Sequence, residues 1–340
     1  MTNLLKIENL SVEYKTLRGT ARAVDSIFLN LEENRTLGLA GESGCGKSTL
    51  GLSIMNLVPR PGRVVEGKIL FNLDETINFE GGTVEKGQID ILQLDDNQIR
   101  AIRGQKLAYI FQDPMTSLNP MIRIRDHFTE IIEAHEEHVK KEDAIERGKE
   151  ILETLGILPE RITDYPHQFS GGMRQRVMIG LGIALLPRLL IADEPTTSLD
   201  VIVEAQILEQ LANLKKKFNL SMLLITHNLG VLAQTADDIA IMYTGRIMEK
   251  ALTEILFENP KHPYSQALLQ AVPDVRKPEK TLAWIPGAPP DLVNPIQGCM
   301  FRPRCPYAMD ICATEPPPLE EVEKGQLVAC YLYTKGVRKK

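Results

Sequence analysis

Residues 41–49 read Gly-Glu-Ser-Gly-Cys-Gly-Lys-Ser-Thr and match the spacing G-x-x-x-x-G-K-[ST]. Glycines in this pattern let backbone N–H groups turn inward around phosphate oxygens, and the positive end of a following helix adds to the attraction. Gly41, Ser43, Gly44, Cys45, Gly46, Lys47, Ser48 and Thr49 thus form a candidate nucleotide cradle. Lys47 can reach β and γ phosphates, and the Ser48 hydroxyl suits Mg²⁺. Cys45 reads as a small residue among glycines rather than as a redox group. The apolar run Leu189–Ala192 ends in Asp193 and Glu194. Beside a phosphate loop, Asp193 is positioned to hold Mg²⁺, directly or through water. Glu194 is positioned to orient and deprotonate an attacking water.

Cysteine is concentrated near the end of the chain. Cys299, Cys305, Cys312 and Cys330 are spaced C-x5-C-x6-C-x17-C. This is not the C-x2-C pairing of ordinary zinc ribbons. Four thiolates among proline-enforced turns suit a four-iron four-sulfur cluster, with zinc and with free or disulfide-bonded thiols as the alternatives. Arg302 and Arg304 are near enough in sequence to offset thiolate charge.

The phosphate loop needs a strand before it and a helix after it. Thr36–Ala40 reads as a buried strand and Ser48–Leu57 has helical spacing, stopped by Pro59 and Pro61. Upstream, Leu4–Tyr14 and Ala23–Leu31 read as strands, with a turn at Glu33-Asn34. Residues 63–110 read as β-rich, with an inserted polar loop at Asp74–Gln88. Helix signals follow at Asp126–Glu136 and Glu142–Leu155. From Gly171 helix and strand alternate: Arg174–Leu186, Leu189–Ala192, Val203–Phe218, Ser221–Thr226 and Leu229–Thr235. Ile239–Tyr243 and Arg246–Glu249 flank a Thr-Gly turn and read as a hairpin. Such alternation implies an α/β fold with a mostly parallel sheet.

The 340 residues suggest two domains, or one large domain with an appendage. Of 21 prolines, 13 fall between Pro260 and Pro318, so the chain changes character near residue 255 and long regular elements are not expected beyond Pro260. The net charge of −6 and 5% aromatic content disfavour a nucleic-acid partner. No secretory signal and no run of 18 apolar residues is visible. A cytoplasmic, reducing setting favours metal over disulfides at the cysteines. Lys335, Arg338, Lys339 and Lys340 make a small basic end, read as a solvated tail or as a contact for anionic lipid.

Phe169-Ser170-Gly171-Gly172-Met173-Arg174-Gln175-Arg176 resembles the signature sequence of ATP-binding-cassette (ABC) ATPases. The family's other motifs follow its order. Gln112 resembles the Q-loop glutamine, Ser198-Leu199-Asp200 the D-loop, and His227 the switch histidine. Tyr14 stands where the family stacks an aromatic ring on adenine. The segment Phe111–Pro120, the signature with Met-Arg-Gln-Arg, His262-Pro263-Tyr264 and Ile285-Pro286-Gly287-Ala288-Pro289-Pro290 resemble ATP-binding subunits of oligopeptide/dipeptide permeases. Asn34 and Asn228 depart from the family's usual Gly and Asp, and the Asp74–Gln88 stretch is longer than usual.

The resemblance implies an α/β phosphate-loop NTPase cassette: a RecA-like core, an antiparallel β-subdomain and a helical subdomain over about 113–171. The cassette spans 1–255, and 256–340 forms a small irregular cysteine-rich C-terminal domain. It implies ATP and Mg²⁺ as ligands, with Ser48, Gln112 and Asp193 toward the metal and Gln112, Glu194 and His227 in catalysis. Ser170, Gly171, Gly172 and Asp200 would face a partner's ATP in a head-to-tail pair. Subunits of this type are associated with a four-iron four-sulfur cluster. Two membrane permeases, a second cassette subunit and an extracellular substrate-binding protein are the implied partners, at the cytoplasmic face of the membrane. Peptide import is the implied function. Nickel or oligosaccharide import, or a soluble non-transport cassette ATPase, are the alternatives.

Overall fold

The structure is a computed structural model that describes residues 2–113, 117–136, 138–197, 199–271 and 285–334. Pro114–Thr116 of the Q-loop segment, Ser198 of the D-loop and the basic end at 335–340 lie outside the described residues. In chain order the early elements are β1 (Asn3–Thr16), β2 (Gly19–Glu32), β3 (Thr36–Ala40), α1 (Lys47–Ile54) and β4 (Gly62–Leu73). Next come β5 (Ile77–Phe79), β6 (Gly82–Val84), β7 (Gly87–Asp90), α2 (Asp96–Ile102) and β8 (Leu107–Ile110). Then follow α3 (Ile124–Glu133), α4 (Lys141–Thr154), α5 (Gly171–Ile183), β9 (Leu189–Asp193), α6 (Val201–Phe218) and β10 (Ser221–Ile225). The last are α7 (Leu229–Thr235), β11 (Asp238–Tyr243), β12 (Arg246–Leu252), α8 (Thr253–Glu258), α9 (Pro263–Gln270), β13 (Glu320–Glu323) and β14 (Gln326–Val328).

Contacts divide the chain into two compact units. The first comprises Met1–Leu4, Glu32–Asn34 and Phe71–Leu223, the second Leu5–Leu31, Arg35–Leu70 and Leu224–Lys340.

In the first unit β8 and β9 pair in parallel, with Leu107 opposite Leu189 and Ile110 opposite Ala192. Every residue of β9 is buried, as expected of a parallel strand covered on both faces. Helices α3, α4 and α5 form a group around Phe128, which is fully buried. Two glycines make this approach possible. A Cβ on Gly148 would lie 3.1 Å from Phe128 Cγ, and one on Gly180 would lie 3.2 Å from Phe128 Cζ. Helix α2 falls in a stretch expected to be strand. Its start is a capping box: Asp95 Oδ1 accepts from Gln98 N at 2.9 Å, and Gln98 Oε1 accepts from Asp95 N at 3.0 Å. The polar insertion at Asp74–Gln88 contains a hairpin, β5 paired antiparallel to β6. Helix α6 stops on Asn219 at φ 52°, a left-handed C-cap.

In the second unit β3 pairs in parallel with β11, and β11 turns back antiparallel into β12. The turn residues Thr244 and Gly245 both have positive φ, 41° and 83°, the primed geometry that matches strand twist. Beyond Pro260 the described elements are short, as the prolines suggest. Pro263 starts α9, where its missing N–H costs nothing, and His262 Nδ1 accepts from Tyr264 N at 2.9 Å to cap it. Strand β14 pairs antiparallel with β12, and β13 with β14, so the chain's end extends this sheet. Glu249 on β12 is fully buried and accepts from Lys261 N and His262 N at 2.9 Å and from Gln326 Nε2 at 2.8 Å.

Two consequences are measurable. Phe128→Ala removes the side chain around which three helices close, and is expected to cost about 3–5 kcal/mol, read as an earlier urea-induced loss of helical signal. Burial lowers the His262 pKa to about 3, below the usual 6.5 of an unfolded chain. Protonation therefore favours unfolding, so its stabilisation is full above about pH 6.5 and declines as pH falls toward 3. His262→Asn, which keeps a capping acceptor, should show a shallower fall in thermal midpoint across that window.

Candidate active site

The phosphate loop lies in the second unit, between β3 and α1. Gly46 caps α1 at φ 106°, and a Cβ there would sit 2.1 Å from Ala23 O. A Cβ on Gly41 would sit 2.1 Å from Met242 O. Both positions therefore exclude every other residue. Lys47 is 5% exposed, and its Nζ donates to Gly41 O at 2.9 Å and Glu42 O at 3.2 Å. Ser43, Gly44 and Ser48 are exposed along the loop. Cys45 is buried, and burial pushes its thiol up, which agrees with a packing role. Tyr14 OH is 3.4 Å from Thr49 Oγ1, which joins the expected aromatic residue to the end of the loop.

His227 follows β10 and is exposed. The next residue, Asn228, caps α7 by accepting from Gly230 N at 3.0 Å. Asparagine performs the capping that an Asp would perform here, so this departure from the family pattern leaves the local backbone supported.

The first unit holds the acidic pair. Asp193 is 5% exposed at the end of β9, and Tyr109 OH donates to its Oδ2 at 2.7 Å. Burial, and next the Asp193 charge, push the Tyr109 hydroxyl up, so it remains a donor. Glu194 adopts φ 46°, an uncommon left-handed conformation for a residue with this side chain. Gln112 Nε2 donates to Glu194 Oε2 at 3.0 Å, and Thr197 Oγ1 donates to the same oxygen at 2.8 Å. Gln112, Asp193 and Glu194 thus stand together. Sequence reasoning missed Tyr109 and Thr197, whose only signal is position: the same end of the neighbouring strand, and three residues after the glutamate.

Ser170 caps α5 through Met173 N at 3.3 Å and is itself exposed. Beside it, Gly171 opens α5, and a Cβ on Gly172 would lie 2.7 Å from Val203 Cγ1, so glycine permits the close approach of α5 to α6. Asp200 caps α6, its Oδ1 accepting from Ile202 N at 3.1 Å and Val203 N at 3.0 Å.

Cys299, Cys305, Cys312 and Cys330 line one small cavity of about 10 Å³, together with Arg302. All are free thiols. Burial pushes Cys299 and Cys305 up and raises Cys330 to about 12, and neighbouring cysteines reinforce this. By type, the four free thiols are the donor set that a thiolate-bound group takes. Among the described residues no group of three or more His, Cys, Asp or Glu side chains is arranged to hold a metal ion. Arg304 also departs from expectation: it pairs with Glu42 at 2.8 Å instead of serving the thiols.

Comparisons agree with this geometry. The ABC transporter family pattern matches residues 24–197, and that of the oligopeptide/dipeptide transporter C-terminal region matches residues 248–312. The chain is 42% identical to the oligopeptide transport ATP-binding protein OppD of Bacillus subtilis, over 98% of this chain and 89% of that one. It is 41% identical to the dipeptide transport ATP-binding protein DppD of Escherichia coli, over 96% of each. A solved dimeric structure of MJ0796, a bacterial ABC transporter cassette, matches with a TM-score of 0.62 at 25% identity, over 73% of this chain and 98% of that one. A post-hydrolysis structure of the same cassette bound to ADP and Pi gives 0.62 at 24% identity, over the same shares. The fold is that of an ABC cassette, and the chain belongs to the ATP-hydrolysing subunits of ABC transporters, in the group that carries the oligopeptide/dipeptide transporter C-terminal region.

Proposed function

We propose that the chain binds and hydrolyses ATP to energise import of di- and oligopeptides through two membrane permease subunits. The observation that carries the hydrolytic reading is the group at the end of β9: Glu194 held by Gln112 and Thr197, beside the buried Asp193. The names of the relatives, oligopeptide and dipeptide transport ATP-binding proteins, support the substrate class. We assign the cassette to 1–255, with its helical subdomain at about 113–171, and the C-terminal domain to 256–340.

In this reading the loop N–H groups and Lys47 hold the phosphates, and Tyr14 stacks on the base. Ser48, Gln112 and Asp193 offer hard oxygen donors to Mg²⁺, an ion that neutralises phosphate charge when bound. Glu194, its oxygen fixed by two donors, orients water and takes its proton. His227 contacts the γ-phosphate side. Ser170, Gly171 and Gly172 offer the N-terminus of α5, and with Asp200 they face the ATP of a second, related cassette. The dimeric form named for MJ0796 supports pairing. An extracellular binding protein delivers the peptide to the permeases. Peripheral attachment at the cytoplasmic face is consistent with the absence, among the described residues, of a helix long and apolar enough to cross a membrane. We further propose that the four-cysteine cavity holds a four-iron four-sulfur cluster through Cys299, Cys305, Cys312 and Cys330. Their convergence on one cavity supports this.

Glu194→Gln should retain ATP binding while kcat falls about 10²–10⁴-fold, the usual contribution of a positioned base. Turnover close to wild type would remove Glu194 from this role. Protein purified without oxygen should be brown and contain iron and acid-labile sulfide, whereas stoichiometric zinc without iron would refute the cluster assignment.

A further inference from the structure

Glu42 is the first variable residue of the phosphate loop, and the motif's chemistry gives its side chain no task. Two segments from the chain's C-terminal part nevertheless meet on it, both within the second unit. Glu42 N donates to Tyr264 OH at 3.0 Å. Arg304 Nη1 donates to Glu42 Oε2 at 2.8 Å. The Arg304 side chain is 5% exposed, so this pair is largely withdrawn from solvent. The remaining guanidinium bonds fix it in place. Arg304 Nη1 also donates to Tyr243 OH at 3.2 Å, Nε to Pro286 O at 2.9 Å and Nη2 to Ile285 O at 3.2 Å.

Beneath these contacts Tyr243, Tyr264 and Phe301 form an aromatic cluster with ring centroids 4.6–5.4 Å apart. Phe301 and Arg304 flank and end the short turn between Cys299 and Cys305. A planar fork held by four acceptors presents its charge in one orientation. Glu42 is therefore fixed at its N–H by Tyr264, at its carbonyl by Lys47 and at its carboxylate by Arg304.

We infer that Arg304 is a positioning residue for the phosphate loop: through Glu42, the C-terminal domain sets the loop's geometry and hence the affinity for ATP. This rests on the reading of residues 41–49 as the ATP cradle. Arg304 itself touches no phosphate in this proposal. It acts by preventing the loop from relaxing between binding events.

The test is a double-mutant cycle on the full chain, with the Kd for MgATP read by titration calorimetry. Arg304→Ala and Glu42→Ala should each weaken binding about tenfold, the double variant no more than the worse single, and Arg304→Lys should fall in between. Should Arg304→Ala not fold, Arg304→Lys and Glu42→Gln form the same cycle and are judged the same way. An affinity within twofold of wild type for Arg304→Ala, or effects that multiply in the double variant, would overturn the tie while leaving ATP binding intact. An unsubstituted chain that binds no MgATP would instead refute the cradle reading, and the tie with it.

Discussion

Backbone pressed on backbone is the constraint on which the phosphate loop depends. At Gly41 and Gly46 the chain passes so close to Met242 O and Ala23 O that a single added carbon would lie 2.1 Å from an oxygen. The loop is therefore moulded by the end of β11 on one side and by β2 on the other. Its N–H groups keep their curvature because relaxation would require those strands to move. The same contacts fix where α1 begins and hence where its positive end points. Lys47 then closes the loop on itself through Gly41 O and Glu42 O.

Much of this was legible in the sequence because its signals are local. Gly-x-x-x-x-Gly-Lys-Ser names a backbone shape, the unbroken apolar run of β9 names a buried strand, and Thr244-Gly245 between alternating residues names a tight hairpin. Asn34 also explains itself: it stands at φ 60°, where glycine is usual and asparagine is tolerated. The losses were at sites where partner rather than residue type decides. Tyr109 matters because its hydroxyl reaches Asp193 from the neighbouring strand, and no spacing rule states that. Helix α2 hides in a β-rich stretch because its strongest signal, the Asp95 and Gln98 box, is only two side chains.

The proline-rich end holds only short elements, the longest a helix of 8 residues among the described residues. Proline breaks a helix interior, yet Pro263 stands in the first turn, where it is tolerated. Strand β14 was invisible because three residues carry too little pattern to be read, whereas the partner strand β12 supplies the register.

The cysteine cavity then poses an electrostatic problem. Four thiolates in one low-dielectric space would repel one another, and burial already holds Cys299, Cys305 and Cys330 above the usual thiol range. Arg304 would be the obvious counter-charge, but its guanidinium is committed to Glu42, Tyr243 and two carbonyls. Of the two arginines that neighbour the cysteines in sequence, only Arg302 lines the cavity. One cation cannot balance four thiolates. Cys299, Cys305 and Cys330 therefore stay protonated unless a positively charged metal centre enters, and loading would release their protons. The committed arginine thus leaves the cavity's charge balance to whatever occupies it, while serving the nucleotide loop with its own charge.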